Sequence, residues 1–163
     1  MKTLLIVYHS TTGATQAMAQ AVADGARSEE GLRVRVLTAS QTTVNDILQA
    51  DAYVFAAPEM LGSLSGLMKD LFDRSYYGVL DQVNGRPYAA VVCAGSDGQG
   101  AARQLERIAT GWRLKSVAPT MVVCTHAQMP ETILAPKRMA EETLQAGRTL
   151  GAGFAAGLVQ GIF

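Results

Sequence analysis

The sequence has no excess of charge of either sign. Its 163 residues include 14 Lys and Arg against 14 Asp and Glu, which gives a formal net charge of zero at pH 7. Proteins that bind nucleic acid through the phosphate backbone need a basic surface, which this composition does not supply. Aromatic residues make up only 6% of the chain, which weakens base stacking as an alternative. We therefore expect no nucleic acid among the partners.

Cysteines and long apolar runs are also scarce. Cys93 and Cys124 each lie inside an apolar run, without the spacing of a metal knuckle or a disulfide framework. We expect both to be small buried side chains. No segment reaches the roughly 18 consecutive apolar residues of a membrane span, and the N-terminus does not read as a secretory signal. The sequence thus predicts a cytoplasmic protein without a membrane span.

The sequence does contain β-rich apolar runs that alternate with helical patterns, and its 48% apolar content suits one domain over residues 1–163. The predicted strands are Thr3–Tyr8, Arg33–Leu37, Ala52–Ala57, Tyr88–Ala94 and Thr120–Thr125. The predicted helices are Thr15–Ser28, Thr43–Ala50, Ser65–Ser75, Gly100–Gly111 and Lys137–Gly157. This alternation predicts an α/β fold with three layers, in which a doubly wound sheet of five parallel strands has the order 2-1-3-4-5. The second strand alternates polar and apolar residues, as an edge strand does.

The loop after the first predicted strand reads "HSTTGAT" and is rich in hydroxyl groups. In a doubly wound sheet the ligand crevice lies at the carboxyl ends of the strands, so this loop borders it. The loop leads into a helix whose first amides have no intrahelical partner. Hydroxyls, free amides and the positive end of the helix dipole together form an anion site. The residues predicted to form it are Ser10, Thr11, Thr12, Gly13, Ala14 and Thr15.

Two missing motifs limit the kind of phosphate that this loop could hold. The loop lacks the lysine of a nucleoside-triphosphate P-loop, and it lacks the G-x-G-x-x-G fingerprint of a dinucleotide site. What remains is a terminal monophosphate held by neutral donors. The alternative is an ordinary Ser/Thr-rich turn that caps a helix.

Two further loops follow the third and fourth predicted strands. The first is "APEMLGSLSGLMKDLFDR", in which Pro58 is expected to stop the strand, and the second is "AGSDGQGA". Their small residues let backbone amides approach a flat ligand closely. Together with the hydroxyl loop they would line one crevice, which suits a mononucleotide.

With these three loops the sequence resembles the flavodoxin-like superfamily over nearly its whole length. It is most similar to the short NAD(P)H-dependent FMN reductases and quinone reductases, the branch with the tryptophan-repressor-binding-protein-like enzymes. The resemblance implies non-covalent FMN, with its phosphate on Ser10 to Thr15. It implies that the dimethylbenzene and N5 region of the ring is flanked by Pro58, Glu59, Met60, Leu61, Gly62 and Ser63. It implies that the pyrimidine side meets Ala94, Gly95, Ser96, Asp97, Gly98 and Gly100.

The implied activity is hydride transfer from NAD(P)H through FMN to a quinone, free flavin or similar small acceptor. Single-electron flavodoxins typically enclose the ring between aromatic side chains and are acidic. This chain is neutral, has Met60 and Leu61 in the second loop and has no aromatic residue in the third. An enzyme is therefore favoured over an electron-transfer or flavin-binding module without turnover, which stays open, as does a flavin-free interaction domain.

Single side chains carry weaker expectations. Glu59 is expected to act through its main chain, with its side chain in solvent. Asp97 would lower the flavin potential if it lay near N1, or it forms only a local turn. His126 is either a proton donor to a quinone or a surface residue. We find no nucleophilic constellation and no metal site, so no catalytic side chain is assigned. The apolar end "GFAAGLVQGIF" packs on its own sheet or supports a homo-oligomer.

Overall fold

The computed structural model describes all residues from Met1 to Phe163. The strands along the chain are β1 (Lys2–Tyr8), β2 (Leu32–Thr38), β3 (Ala52–Met60), β4 (Ser63–Leu64), β5 (Pro87–Ala94), β6 (Lys115–Ser116) and β7 (Met121–Cys124). The helices are α1 (Ala14–Ala26), α2 (Val44–Gln49), α3 (Gly66–Val79), α4 (Gln99–Gly111), α5 (Pro130–Leu134) and α6 (Glu141–Gln160). None of these helices is both long and apolar enough to cross a membrane.

The sheet has the predicted arrangement. Five parallel strands lie in the order β2-β1-β3-β5-β7, which is the order 2-1-3-4-5 of the strands predicted from the sequence. The short β6 pairs with the start of β5, on the side where β7 pairs with its end. The two-residue β4 pairs antiparallel with the end of β3. The carboxyl ends of β1, β3 and β5 therefore meet at one edge.

Helices cover both faces of the sheet because β1, β3 and β5 are apolar on both sides. On one face Leu5 and Phe55 pack against α2, α3 and α4 in a core that includes Phe72 and Trp112. On the other face Ile6 packs against α1 and α6 in a second core, which also contains Leu4, Met18, Val22, Val54, Phe154 and Leu158. This confirms the three-layer α/β fold.

The third strand does not stop at Pro58, as the sequence predicted, but continues to Met60. The amide of His9 donates to the carbonyl of Ala56 at 3.0 Å, so Ala56 presents its polar groups toward β1. Residues two apart in a strand point the same way, and the pairing with β1 ends at Ala56. An N–H at position 58 would point toward β1, but β1 has no residue paired there to accept it. The strand therefore loses no hydrogen bond at Pro58 and can continue through it.

The last helix begins at Glu141, not at Lys137 as predicted, and a separate short helix, α5, comes before it. The amide of Lys137 donates to the carbonyl of Thr12 at 2.7 Å, so it is not free for a helical bond. Ala140 has an extended backbone at the helix start. A distant tertiary hydrogen bond thus displaces the start of the helix.

The apolar C-terminal segment packs at least in part on its own chain. Phe154 and Leu158 are buried in the α1–α6 core, and the rings of Phe154 and Phe163 lie 5.5 Å apart between centroids. Ile162 remains 65% exposed. Self-association through this end stays a prediction.

Glycines set the distance between α1 and α6. A Cβ on Gly151 would lie 2.0 Å from the carbonyl oxygen of Val22, and one on Gly25 would lie 1.9 Å from that of Arg148. Both clashes involve backbone atoms, so rotation of a side chain cannot relieve them. The two helices pack closely because these positions have no side chain.

We predict that Gly151→Ala lowers the free energy of unfolding by about 1–3 kcal/mol, because α1 and α6 must separate to admit the methyl group. The matched control is Gly153→Ala in the same helix, where a Cβ meets nothing within 4 Å. That change should be neutral or stabilising by up to about 1 kcal/mol. Urea unfolding followed by circular dichroism measures both, and equal effects would contradict the packing argument.

Candidate functional site

A cavity of about 240 Å³ opens at the edge where β1, β3 and β5 end. This is the position at which doubly wound sheets bind their ligands, beside the reversal of strand order. Its wall is formed by Ser10, Thr11, Thr12, Ala14, Thr15, Pro58, Glu59, Met60, Cys93, Ala94, Gly95, Thr125, Ala127, Ile133, Leu134 and Lys137.

The loop after β1 leaves backbone amides without partners at the start of α1. Gly13 has a φ of 101°, a left-handed conformation that favours glycine, and its amide donates to Ser10 Oγ at 3.1 Å. The first helical bond of α1 runs from Ala17 to the carbonyl of Gly13. The three amides before it, those of Ala14, Thr15 and Gln16, donate to no protein acceptor. These donors and the neighbouring hydroxyls suit a phosphate group.

The loop after β3 is a tight hairpin. Glu59 pairs with Leu64 and Met60 with Ser63, which leaves Leu61 and Gly62 as the two turn residues. Both turn residues have positive φ, 53° and 77°, as a type I′ hairpin turn requires. Such a conformation costs a leucine about 1–3 kcal/mol. Leu61 is also fully exposed, so the hairpin holds an apolar side chain in solvent next to Met60, which lines the cavity.

Two side chains fasten this hairpin to α4. Glu59 accepts from the amide of Gly98 at 3.1 Å and from that of Ala101 at 3.3 Å. Gln104 Oε1 accepts from the amide of Leu64 at 2.6 Å and from Ser63 Oγ at 3.0 Å. The expectation that the Glu59 side chain lies in solvent was therefore wrong. Its carboxylate joins the second loop to the third and satisfies free amides at the start of α4.

Gly100 allows the two loops to approach each other. A Cβ at this position would lie 2.2 Å from the carbonyl oxygen of Gly62 and 3.4 Å from a Glu59 carboxylate oxygen. The glycine therefore serves the contact between the loops and does not itself line the cavity.

The structure brings only some of the predicted site residues to the cavity wall. On it lie Ser10, Thr11, Thr12, Ala14, Thr15, Pro58, Glu59, Met60, Ala94 and Gly95. Off it, in the turns and contacts that shape the loops, lie Gly13, Leu61, Gly62, Ser63, Ser96, Asp97, Gly98 and Gly100.

Sequence reasoning missed one side of the cavity, which the chain after β7 supplies. The amide of Thr125 donates to the carbonyl of Ala94 at 2.8 Å, and this places the segment beside the third loop. Ile133 and Leu134 of α5 complete the wall. One signal was available, because this segment follows a parallel strand and so lies at the same edge of the sheet as the cavity. That strand is two positions from the reversal of strand order, so the segment was not expected to reach the cavity.

The structure places the remaining polar candidates outside the cavity. Asp97 and His126 are exposed and do not line it, so Glu59 is the carboxylate on its wall. His126 has a positive φ of 57°. His9 lies at the base of the first loop, where burial lowers the pKa of its imidazole and its Nδ1 is buried without a partner.

The fold and this edge define a doubly wound α/β protein, with a loop at the reversal of strand order whose amides donate to no protein acceptor. The flavodoxin family model matches residues 6–135. A flavodoxin from Aquifex aeolicus is 35% identical over 100 residues, which cover 61% of this chain and 54% of that protein. An NAD(P)H dehydrogenase (quinone) from Acidithiobacillus ferrooxidans is 30% identical over 95 residues, which cover 46% of this chain and 48% of that protein. The matched region thus spans about half the length of each relative.

Among solved structures, the flavodoxin, WrbA-like protein from Agrobacterium tumefaciens superposes with a TM-score of 0.77 at 21% identity. The superposition covers 98% of this chain and 99% of that one. The chain belongs to the flavodoxin family.

Cys93 lies on the cavity wall but is only 3% exposed. Burial raises the pKa of its thiol to about 11. The thiol is therefore neutral at physiological pH and is a poor nucleophile. Cys124, on the neighbouring strand, is half-buried.

We predict that Cys93 resists thiol reagents in the native protein. Because its pKa rises from 9.0 to about 11, its thiolate fraction at pH 8 is about a hundredfold lower than that of an ordinary thiol. Titration with Ellman's reagent should give one accessible thiol before unfolding and two after it. Cys124→Ser should abolish the native reaction, whereas Cys93→Ser should preserve it. Equal rates for both thiols would contradict this assignment.

Proposed function

We propose that this chain binds FMN non-covalently and acts as an NAD(P)H-dependent reductase of a quinone, a free flavin or a similar small acceptor. The observation that carries the proposal is the neutral anion site at the start of α1, with three amides that donate to no protein group. It opens directly into a cavity between two loops rich in small residues. A phosphate monoester would fit the anion site, and a flat ring joined to it would fit the cavity.

The residues on the wall fit this cofactor. Ser10, Thr11, Thr12 and Thr15 supply hydroxyls beside the free amides, as the phosphate of FMN requires. The hairpin from β3 and the turn at Ala94 and Gly95 would hold the ring. When bound, FMN would supply two-electron redox chemistry between a nicotinamide and an acceptor. The wall residues would orient the ring.

The open face of the site favours a reductase over a carrier. No aromatic side chain lines the cavity, so nothing of the chain would stack on the ring and block a flat substrate. Met60 on the wall and Leu61 in the adjoining hairpin turn are exposed, and they offer apolar surface to a nicotinamide or quinone. The quinone dehydrogenase relative supports the same interpretation.

An electron-transfer module is the second candidate, because the match to the Aquifex aeolicus flavodoxin supports it. The two candidates share the cofactor site and differ in turnover. A carrier would be reduced by a partner protein and would not oxidise NAD(P)H rapidly by itself.

We predict that the purified protein carries or takes up FMN, with the visible absorbance of a bound flavin. With FMN bound, it should oxidise NADH or NADPH when benzoquinone is the acceptor, at a rate above that of free FMN. Flavin binding without this turnover would favour the carrier. Absence of FMN binding, tested by fluorescence titration, would overturn the proposed function.

We predict that Glu59, and not Asp97, influences the reduction potential. A carboxylate on the cavity wall opposes the gain of negative charge by a bound ring. Glu59→Gln keeps one oxygen acceptor and removes the charge, so the midpoint potential of bound FMN should rise. Asp97→Asn, which changes an exposed carboxylate off the wall, should leave it unchanged. A dye-equilibrium titration measures both potentials, and a shift in the Asp97 variant alone would reverse the assignment.

A further inference from the structure

The cavity wall contains one cation, Lys137. The hydroxyl loop itself has no basic residue, and Lys137 is 125 positions beyond Thr12. It reaches the site because the chain between α5 and α6 crosses the anion loop.

Two contacts fix the backbone of Lys137 against that loop. Its amide donates to the carbonyl of Thr12 at 2.7 Å. Its own carbonyl oxygen lies 3.7 Å from the point that a Cβ on Gly13 would occupy. The lysine is thus held beside the turn that aims the free amides of α1.

The ammonium group of Lys137 has polar neighbours but no opposite charge. Its Nζ donates to the carbonyls of Ile133 at 2.8 Å and Ala135 at 2.6 Å. It takes part in none of the ion pairs of the protein. Glu59, the carboxylate on the same wall, accepts from amides at the start of α4 instead. An ammonium has three donors, so one remains for a ligand.

We propose that Lys137 is the counter-ion of the phosphate monoester bound by Ser10 to Thr15. A monoester carries a charge of about −1.5 to −2 at pH 7, whereas a helix N-terminus supplies the equivalent of only about +0.5. Hydroxyls and amides add hydrogen bonds but no net charge. Lys137 supplies the missing positive charge, and it makes the site select a phosphorylated flavin over the unphosphorylated one. This inference rests on the proposed function for the identity of the flavin. The charge argument itself applies to any phosphate monoester bound at this loop.

The test compares Lys137→Gln with Arg138→Gln, which removes the neighbouring exposed cation off the wall. Dissociation constants for FMN and for riboflavin are measured by fluorescence at low and at physiological ionic strength. Lys137→Gln should weaken FMN about tenfold or more, the usual effect of losing a charge-assisted hydrogen bond. Riboflavin affinity should not change, and Arg138→Gln should bind both as the unaltered protein does. Lys137→Arg should keep FMN affinity within a few-fold.

Three results would overturn the assignment. Equal weakening of FMN and riboflavin would mean that Lys137 only supports the fold of the wall. Unchanged FMN affinity in Lys137→Gln would mean that the loop needs no counter-ion. A rise in the KM for NADPH but not NADH, with FMN affinity unchanged, would assign the cation to a nicotinamide 2′-phosphate.

A second probe separates this inference from the proposed function. Inorganic phosphate at millimolar concentration should raise the Tm of the unaltered protein and of Arg138→Gln, and should raise it less in Lys137→Gln. If phosphate behaves this way while FMN does not bind, the counter-ion assignment holds and the proposed flavin function fails. If phosphate raises the Tm of all three proteins equally, the counter-ion assignment fails.

Discussion

The free amides at the start of α1 are the interaction on which the site depends. A helix cannot satisfy its own first N–H groups, and the left-handed turn at Gly13 directs those of Ala14, Thr15 and Gln16 to no protein acceptor. A buried amide without a partner costs about 1–3 kcal/mol. Thr15 is only 1% exposed, whereas its neighbour Gln16 is exposed. Under the proposed function an anion accepts from these amides, and its binding should stabilise the fold by mass action.

The opposite side of the site, formed by the β3–β4 hairpin, depends on hydrogen bonds that fix the hairpin in place. Glu59 and Gln104 tie the β3–β4 hairpin to α4, and Gly100 lets the two come into backbone contact. The hairpin can hold Leu61 in a left-handed conformation because its ends are fixed on both sides. A loop that is already ordered loses little conformational entropy when a ligand binds, so more of the contact energy appears as affinity.

Local patterns in the sequence were sufficient for the architecture and for the first loop. The alternation of elements predicted a doubly wound sheet, and 2-1-3-4-5 was the preferred one of its common strand orders. The hydroxyl loop was recognisable because it lies between a buried strand and a helix. Two of the errors share a cause, which is hydrogen bonding between residues far apart in the chain. Glu59 meets an amide 39 positions away, and Lys137 meets Thr12 across most of the sequence. Neither pairing leaves a local signal in the sequence. The predictions that the Glu59 side chain lies in solvent and that the last helix begins at Lys137 were therefore both wrong.

The distribution of charge also bears on whether the protein acts alone or through a protein partner. A carrier that docks on other proteins gains speed from an asymmetric field that steers the encounter. This chain has zero net charge. At the cavity Lys137 donates to the carbonyls of Ile133 and Ala135, and Glu59 accepts from amides at the start of α4. Met60 and Leu134 on the wall, and Leu61 in the adjoining hairpin turn, are instead exposed and apolar. Such a surface attracts a small flat molecule by burial of apolar area, which needs no steering field. The charge distribution and the open cavity therefore both support the proposed reductase of small molecules over the electron carrier.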